Sequence, residues 1–155
     1  MIPKLELEHV ETELARKFSE EPVVMGAHQL NELAWARRIA FALKAEYEHR
    51  LWDGTRIDLL TETAAVEIDW APKWAEAIGQ CLWYSTMVQL EPVVLLLVED
   101  MGKESKYVYR ALTVCHQIDI EVWIADTKKE ILTANGKHFP IGPPVAGASN
   151  DGTAI

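Results

Sequence analysis

One stretch leaves the chain the least freedom. Pro92 to Val98 (P-V-V-L-L-L-V) is wholly apolar and is bounded by Glu91 and Glu99. Its length reads as one strand. With no polar residue at alternate positions, neither face of that strand can meet water. A strand buried on both faces belongs in the middle of a sheet that helices cover.

The flanking segments supply such a sheet. Residues 45 to 52 (AEYEHRLW) alternate polar and apolar types, as a half-buried strand does. Asp53-Gly54 is a hairpin turn signal. Thr55 to Leu60 then reads as a second strand, Thr61-Glu62-Thr63 as a turn and Ala64 to Trp70 as a third strand, together a meander. Pro72 suits the first turn of a helix running from about 72 to 88, because its missing N–H costs nothing there. Residues 103 to 117 read as a helix and Ile118 to Ala125 as an alternating strand.

At the two ends, Val10, Leu14 and Phe18 recur at helical spacing, so residues 8 to 20 read as a short helix that Pro22 ends. A Leu-, Ala- and Arg-rich helix starts between Ala27 and Asn31 and runs to about Lys44. Asn135-Gly136 marks a small hairpin within Lys129 to Phe139. The expected fold is one α/β domain over residues 1–142, a mixed sheet flanked by helices with right-handed crossovers between parallel strands. The Gly-, Pro-, Ala-, Ser- and Asn-rich residues 143–155 read as a flexible tail.

Composition narrows the function classes. No apolar run approaches membrane-spanning length, and the N-terminus lacks the basic flank and apolar stretch of a signal peptide, so a cytoplasmic protein without a membrane partner is expected. Cys81 and Cys115 fall inside apolar helical patterns and read as small buried hydrophobes. The 5 histidines, His138 among them, show no zinc-binding spacing. No phosphate-binding loop, dinucleotide glycine pattern or nucleophile elbow occurs. The formal net charge of -9 counts against bulk electrostatic binding of nucleic acid. It does not exclude a carboxylate site whose local sign divalent cations reverse. Basic residues form small groups, Arg37-Arg38, Lys103 with Lys106 and Arg110, and Lys128-Lys129, each readable equally as a solvated face.

Chemistry concentrates around the second turn of the meander. Asp58 lies on the second strand and Glu67 on the third, where adjacent antiparallel strands bring two carboxylates together. Glu67 and Asp69 alternate and share a face, while Ile57, Leu59, Val66 and Ile68 are expected on the other. Three converging acids suit Mg²⁺ or Mn²⁺, although paired acids on a hairpin are by themselves more often a solvated face. On the following helix, Lys73, Glu76, Ala77, Gln80 and Tyr84 form one stripe, leaving Trp74, Ile78, Cys81 and Leu82 for the core. Trp70, Trp74 and Trp83 lie beside the acids, so one could stack on a base, though core packing is the commoner use of tryptophan.

This ordered set resembles the PD-(D/E)XK nuclease superfamily. Arg56-Ile57-Asp58 corresponds to the acid-bearing strand, Glu67-Ile68-Asp69 to the E-x-K strand, and Gln80-Cys81-Leu82-Trp83-Tyr84 to the Gln-xxx-Tyr of some branches. Glu32, in Asn31-Glu32-Leu33-Ala34-Trp35, occupies a place similar to the upstream helical Glu of Holliday-junction resolvases. The stretch from Trp52 to Thr63 is similar to small phage and bacterial members. The resemblance covers residues 30 to 125 and implies a restriction-endonuclease-like core and metal-dependent hydrolysis of phosphodiester bonds, with DNA the expected nucleic-acid substrate. It implies Mg²⁺ or Mn²⁺ on Asp58, Glu67 and the Ile68 carbonyl, assisted by Glu32. Asp58, Glu67, Asp69, Lys73, Gln80 and Tyr84 become the catalytic set, and Arg56, Lys73, Gln80 and Tyr84 the nucleic-acid contacts.

One departure stands out. Asp69 occupies the position of the superfamily's lysine. Lys73 could reach back from the helix in its place, Asp69 could serve as a further metal ligand, or catalysis could be lost. The last case corresponds to a rival reading, a non-catalytic module that binds a protein partner or a second copy of itself.

Overall fold

The computed structural model describes residues 27–142, so the expected helix over residues 8 to 20 and the tail 143–155 lie outside the described residues. The chain runs α1 (Ala27–Leu43), β1 (Glu46–Arg50), β2 (Arg56–Leu60), β3 (Ala64–Trp70), a 3₁₀ turn (Ala71–Lys73), α2 (Trp74–Val88), β4 (Glu91–Val98), α3 (Met101–Gln117), β5 (Glu121–Asp126), β6 (Ile131–Ala134) and β7 (Lys137–Pro140). All seven strands join one sheet in sequence order. The pairs β1–β2, β2–β3, β5–β6 and β6–β7 are antiparallel, and β3–β4 and β4–β5 are parallel. The mixed sheet expected from the sequence is therefore present, as an α/β fold. Among these residues no helix is long and apolar enough to cross a membrane.

β4 sits at the centre, and its last six residues are all buried. Val93, Leu95 and Leu97 pack toward α1 with Ala36, Ile39, Val66 and Ile68. Val94 and Leu96 pack toward α2 and α3 with Ala77, Cys81, Ala111 and Cys115. The sheet is thus sandwiched between α1 and the α2–α3 pair, which is why the run lacks polar residues.

Local chemistry sets the element boundaries. Gly54, at φ 87°, turns β1 into β2, and Asp53 accepts from the Thr55 N–H at 3.0 Å and its hydroxyl at 2.6 Å. Asn135 and Gly136 both take positive φ in the β6–β7 turn, the geometry the Asn-Gly pair favours. α3 starts at Met101, earlier than its periodicity suggests, because Asp100 caps it by accepting from the Gly102 and Lys103 amides. β5 starts only at Glu121, because the Ile118 and Ile120 amides still close the end of α3 onto the Cys115 carbonyl.

Leu96 is fully buried, whereas Phe41 is 71% exposed. Leu96→Ala is expected to lower the unfolding free energy by about 2–5 kcal/mol, and Phe41→Ala to change it by no more than about 0.5 kcal/mol. Urea denaturation of the two variants checks the contrast, and equal losses would contradict this placement of the core.

Candidate active site

The site begins where a ladder stops. β2 and β3 pair at Leu60 with Ala65 and at Leu59 with Val66, and no further. Beyond that point the Ile68 N–H is taken by the Asp58 carboxylate, at 2.8 Å from Oδ2. A side chain has replaced the backbone partner, and the two strands fork.

β1 takes part in the same distortion. Its ladder with β2 pairs Tyr47 with Leu59 and His49 with Ile57 but skips Glu48 and Asp58. Glu48 has φ 51°, a conformation that costs a non-glycine residue about 1 kcal/mol or more. The kink also breaks the expected alternation. Leu59, Val66 and Ile68 pack toward α1 as predicted. Ile57 does not, and instead joins Leu51 and Ala65 beside Tyr84.

Four carboxyl groups from three elements meet at the fork. Asp58 and Glu67 face one another closely enough to share a proton, as do Glu32 and Asp69. Glu67 and Asp69 lie on β3 in register with Val94 and Leu96, so they share the face beneath α2. Glu32 arrives from α1 on the opposite side of the sheet. It heads the inward stripe Glu32, Ala36, Ile39, Ala40 and Leu43, whose apolar members enter the core. Asp69 also accepts from the Trp70 N–H at 2.9 Å. Glu67 is only 5% exposed, and its Oε2 has no hydrogen-bond partner.

Burial dominates the electrostatics. It pushes Glu67 well above the usual carboxylate range, and the charges of Asp58, Asp69 and Glu32 push the same way. Burial also raises Asp58, against the opposing pull of the Ile68 N–H and the Glu67 hydrogen bond. Glu32 is pushed up to about 8, by burial first and then by Asp69 and Asp58. Asp69 is pushed up to about 6 by burial, with the Trp70 N–H and Lys73 pulling down and Glu76 pushing up.

The α2 stripe is present in part as expected. Tyr84 packs against Leu51, Ile57 and Ala65. Burial holds its hydroxyl protonated far above neutral pH, and the charges of Glu67, Asp58 and Asp53 reinforce this. Lys73 is exposed at the start of α2, and its charge acts on Glu32 and Asp69. Its charge therefore reaches the Glu32–Asp69 pair, and it makes no ion pair within 4 Å among the described residues. Gln80 is exposed, and Ala77 is buried against the sheet. Ile78 and Cys81 enter the core, Trp74 packs against it, and Leu82 stays 41% exposed, contrary to its expected burial. Trp70 lies in the α1-side core, so it offers no stacking face, whereas Trp83 is 39% exposed. Arg56 is ion-paired with Glu48 at 3.3 Å. Of the other basic pairs, Arg38 binds Glu130 at 2.9 Å and the Gly142 carbonyl at 2.8 Å, so it ties α1 to the β6–β7 region. His138 shares a hydrogen bond with Thr133 on the terminal hairpin.

The sequence reasoning overlooked Glu48. Its position opposite Asp58 follows from the register, but no local signal marks a glutamate for positive φ. Cys81 and Cys115 are free and buried, as expected, and burial pushes the Cys81 thiol up to about 12.

The donor set fits a hard divalent cation, which takes carboxylate and carbonyl oxygens. The orphaned Glu67 Oε2 is the buried atom such an ion would satisfy. As the side chains stand, no three His, Cys, Asp or Glu groups among the described residues form a ready metal cage. Asp58 and Asp69 are turned onto backbone amides, and their partners onto them. Comparison with family models, with curated proteins and with solved structures finds no match to this chain.

Carboxyls raised in the folded state bind protons more tightly than in the unfolded chain. The stability they contribute is complete below their ordinary range near pH 4 and is lost as pH rises through the folded values. That loss runs from about 4 to about 6 for Asp69 and on to about 8 for Glu32. Thermal melts in EDTA should therefore show a falling Tm from pH 5.5 to 8.5, with Glu32→Gln reducing the slope. A Tm that rises over that interval, or a slope that Glu32→Gln leaves unchanged, would refute the buried cluster.

Proposed function

We propose that this chain is a divalent-cation-dependent phosphodiesterase acting on nucleic acid, most simply DNA, and built on the PD-(D/E)XK plan. The observation that carries the reading is the buried, unpartnered Glu67 Oε2 among four carboxyl groups at a forked strand pair. Stable folds seldom leave a buried carboxyl oxygen without a partner unless a ligand supplies one. In this reading Asp58, Glu67 and the Ile68 carbonyl hold Mg²⁺ or Mn²⁺, and Glu32 assists. A bound ion would polarise the phosphoryl oxygen and make water a stronger nucleophile.

The remaining work falls to the chain's own groups. Lys73, four residues beyond Asp69, takes over from the absent lysine by orienting the attacking water and offsetting charge on the transferring phosphoryl group. A lysine at a helix N-terminus is unfavourable for the helix dipole, so its position there serves the nearby acids rather than the helix. The neutral Tyr84 hydroxyl can donate to a phosphate oxygen without adding negative charge, and Gln80 stands on the same stripe. Arg56 supplies positive charge beside Asp58.

A second reading has its own support. Asp69 in the lysine position and the net charge of -9 both suit a module that keeps the fold to bind a protein partner. Labelled single-stranded, duplex and branched DNA incubated with Mn²⁺ or EDTA separates the two. Cleavage that needs Mn²⁺ and is lost in Glu67→Gln supports the enzyme, whereas intact DNA under all conditions supports the module.

Two variants probe the roles. Asp58→Asn should abolish Mn²⁺ binding by calorimetry, and unchanged binding would reassign the ligands. Lys73→Ala should keep folding and Mn²⁺ affinity while lowering turnover by roughly a hundredfold, the scale of one positioned catalytic group. Wild-type turnover in Lys73→Ala would remove that residue from the mechanism.

A further inference from the structure

The β1–β2 hairpin beside the fork carries features that the fold does not need. Arg50 and Arg56 are directly opposite in the antiparallel ladder, so two like charges share one face, an arrangement that is destabilising by itself. Arg56 has Glu48 as its partner at 3.3 Å, while Arg50 is exposed and has no ion-pair partner among the described residues. At the turn between them, Trp52 is 68% exposed, next to residues held firmly in place. Leu51 is buried against Ile57 and Tyr84, and Asp53 is fastened to Thr55.

This hairpin is continuous with the acid cluster on two sides. Glu48, the partner of Arg56, acts electrostatically on Asp58. Asp53, the neighbour of Trp52, acts on Tyr84 together with Glu67 and Asp58. A strand advances about 6.8 Å over two residues, so Asp58 and Arg56 are separated by roughly the reach of one nucleotide unit.

We infer that the hairpin is the binding strip for a single-stranded nucleic acid, with Arg50 and Arg56 on its phosphates and Trp52 stacked on an unpaired base. This deepens the phosphodiesterase reading and rests on its nucleic-acid substrate. The occupant follows from charge and shape. An unpaired arginine beside another is complementary to a phosphate diester. An exposed indole on a convex turn can stack only on a base whose face is free, which a duplex interior does not offer. A chain of net charge -9 lacks the broad basic surface that duplex binding uses. A few phosphate contacts combined with stacking suit a short single strand.

Fluorescence anisotropy with labelled oligothymidylate, oligouridylate and a duplex of equal length tests the strip, with Ca²⁺ replacing Mn²⁺ to hold back hydrolysis. The wild-type protein should prefer single strands to the duplex. The two single-stranded arms decide between DNA and RNA as the source of the same chemistry. Trp52→Ala should weaken single-strand binding about tenfold, the scale of one lost stacking contact, and Trp52→Phe should restore most of it. Arg50→Ala should reduce the slope of log affinity against log salt by about 0.7, the value for one phosphate contact on a single strand. Both side chains are exposed, so a melting temperature matching wild type confirms that the variants remain folded. Duplex preference, no binding at all, or variants that bind like wild type would each overturn the strip. Cleavage in Mn²⁺ that is indifferent to Trp52 and Arg50 would sink the strip and leave the phosphodiesterase standing. Single-strand binding through these residues without cleavage would do the reverse.

Discussion

The hydrogen bond from the Ile68 amide to the Asp58 carboxylate organises the site. It occupies a donor that would otherwise continue the β2–β3 ladder, so pairing ends at Leu59 and Val66. The fork brings Asp58 to Glu67 and leaves Glu32 of α1 able to meet Asp69. The same bond gives a buried carboxylate a backbone donor, which offsets part of its desolvation. Without it, Asp58 would be a buried acid opposite two others, and neutralisation would be its main recourse.

The rigidity that holds such a cluster comes from the layers around it. β3 is buried along its whole length, laddered to β4 on one side and covered above and below. Ala77, Cys81 and Ser85 recur at four-residue intervals on α2, and all are buried. Small side chains there let the helix approach the sheet closely, and the charge of Glu67 is felt at the Cys81 thiol. Four carboxyls with raised proton affinity are unfavourable at neutral pH, and the apolar packing on both faces of the central strands opposes that cost. A site that is destabilising by itself and held by a well-packed scaffold is the common arrangement for binding and catalysis.

Net charge is a poor guide to what this surface can approach. Much of the acidity is distributed, while the fork concentrates acids whose burial favours protonation or a cation. Exposed positive charges lie on a helix start, at Lys73, and on the β1–β2 hairpin, at Arg50 and Arg56. Charge around the fork is therefore mixed, and the net charge of the whole molecule does not describe it.

The sequence by itself determined the elements and their order. The apolar run at Val93 to Val98 required a covered central strand, Asp53-Gly54 and Asn135-Gly136 set the hairpins, and Pro72 marked a helix start. These signals are local, arising from hydrophobic period and turn chemistry within a few residues. Asp58, Glu67 and Asp69 could also be singled out, since their register across one turn is short-range. Only the tertiary structure decided what those acids experience. The kink at Glu48 and the side-chain substitution in the ladder arise between neighbouring strands without a local signal, and the diversion of Ile57 toward Tyr84 and the approach of Glu32 depend on contacts between segments far apart in the chain. Burial decides whether a carboxyl is a solvated surface group or a paired, proton-holding one. Burial is a property of the packed layers, and no residue carries it alone.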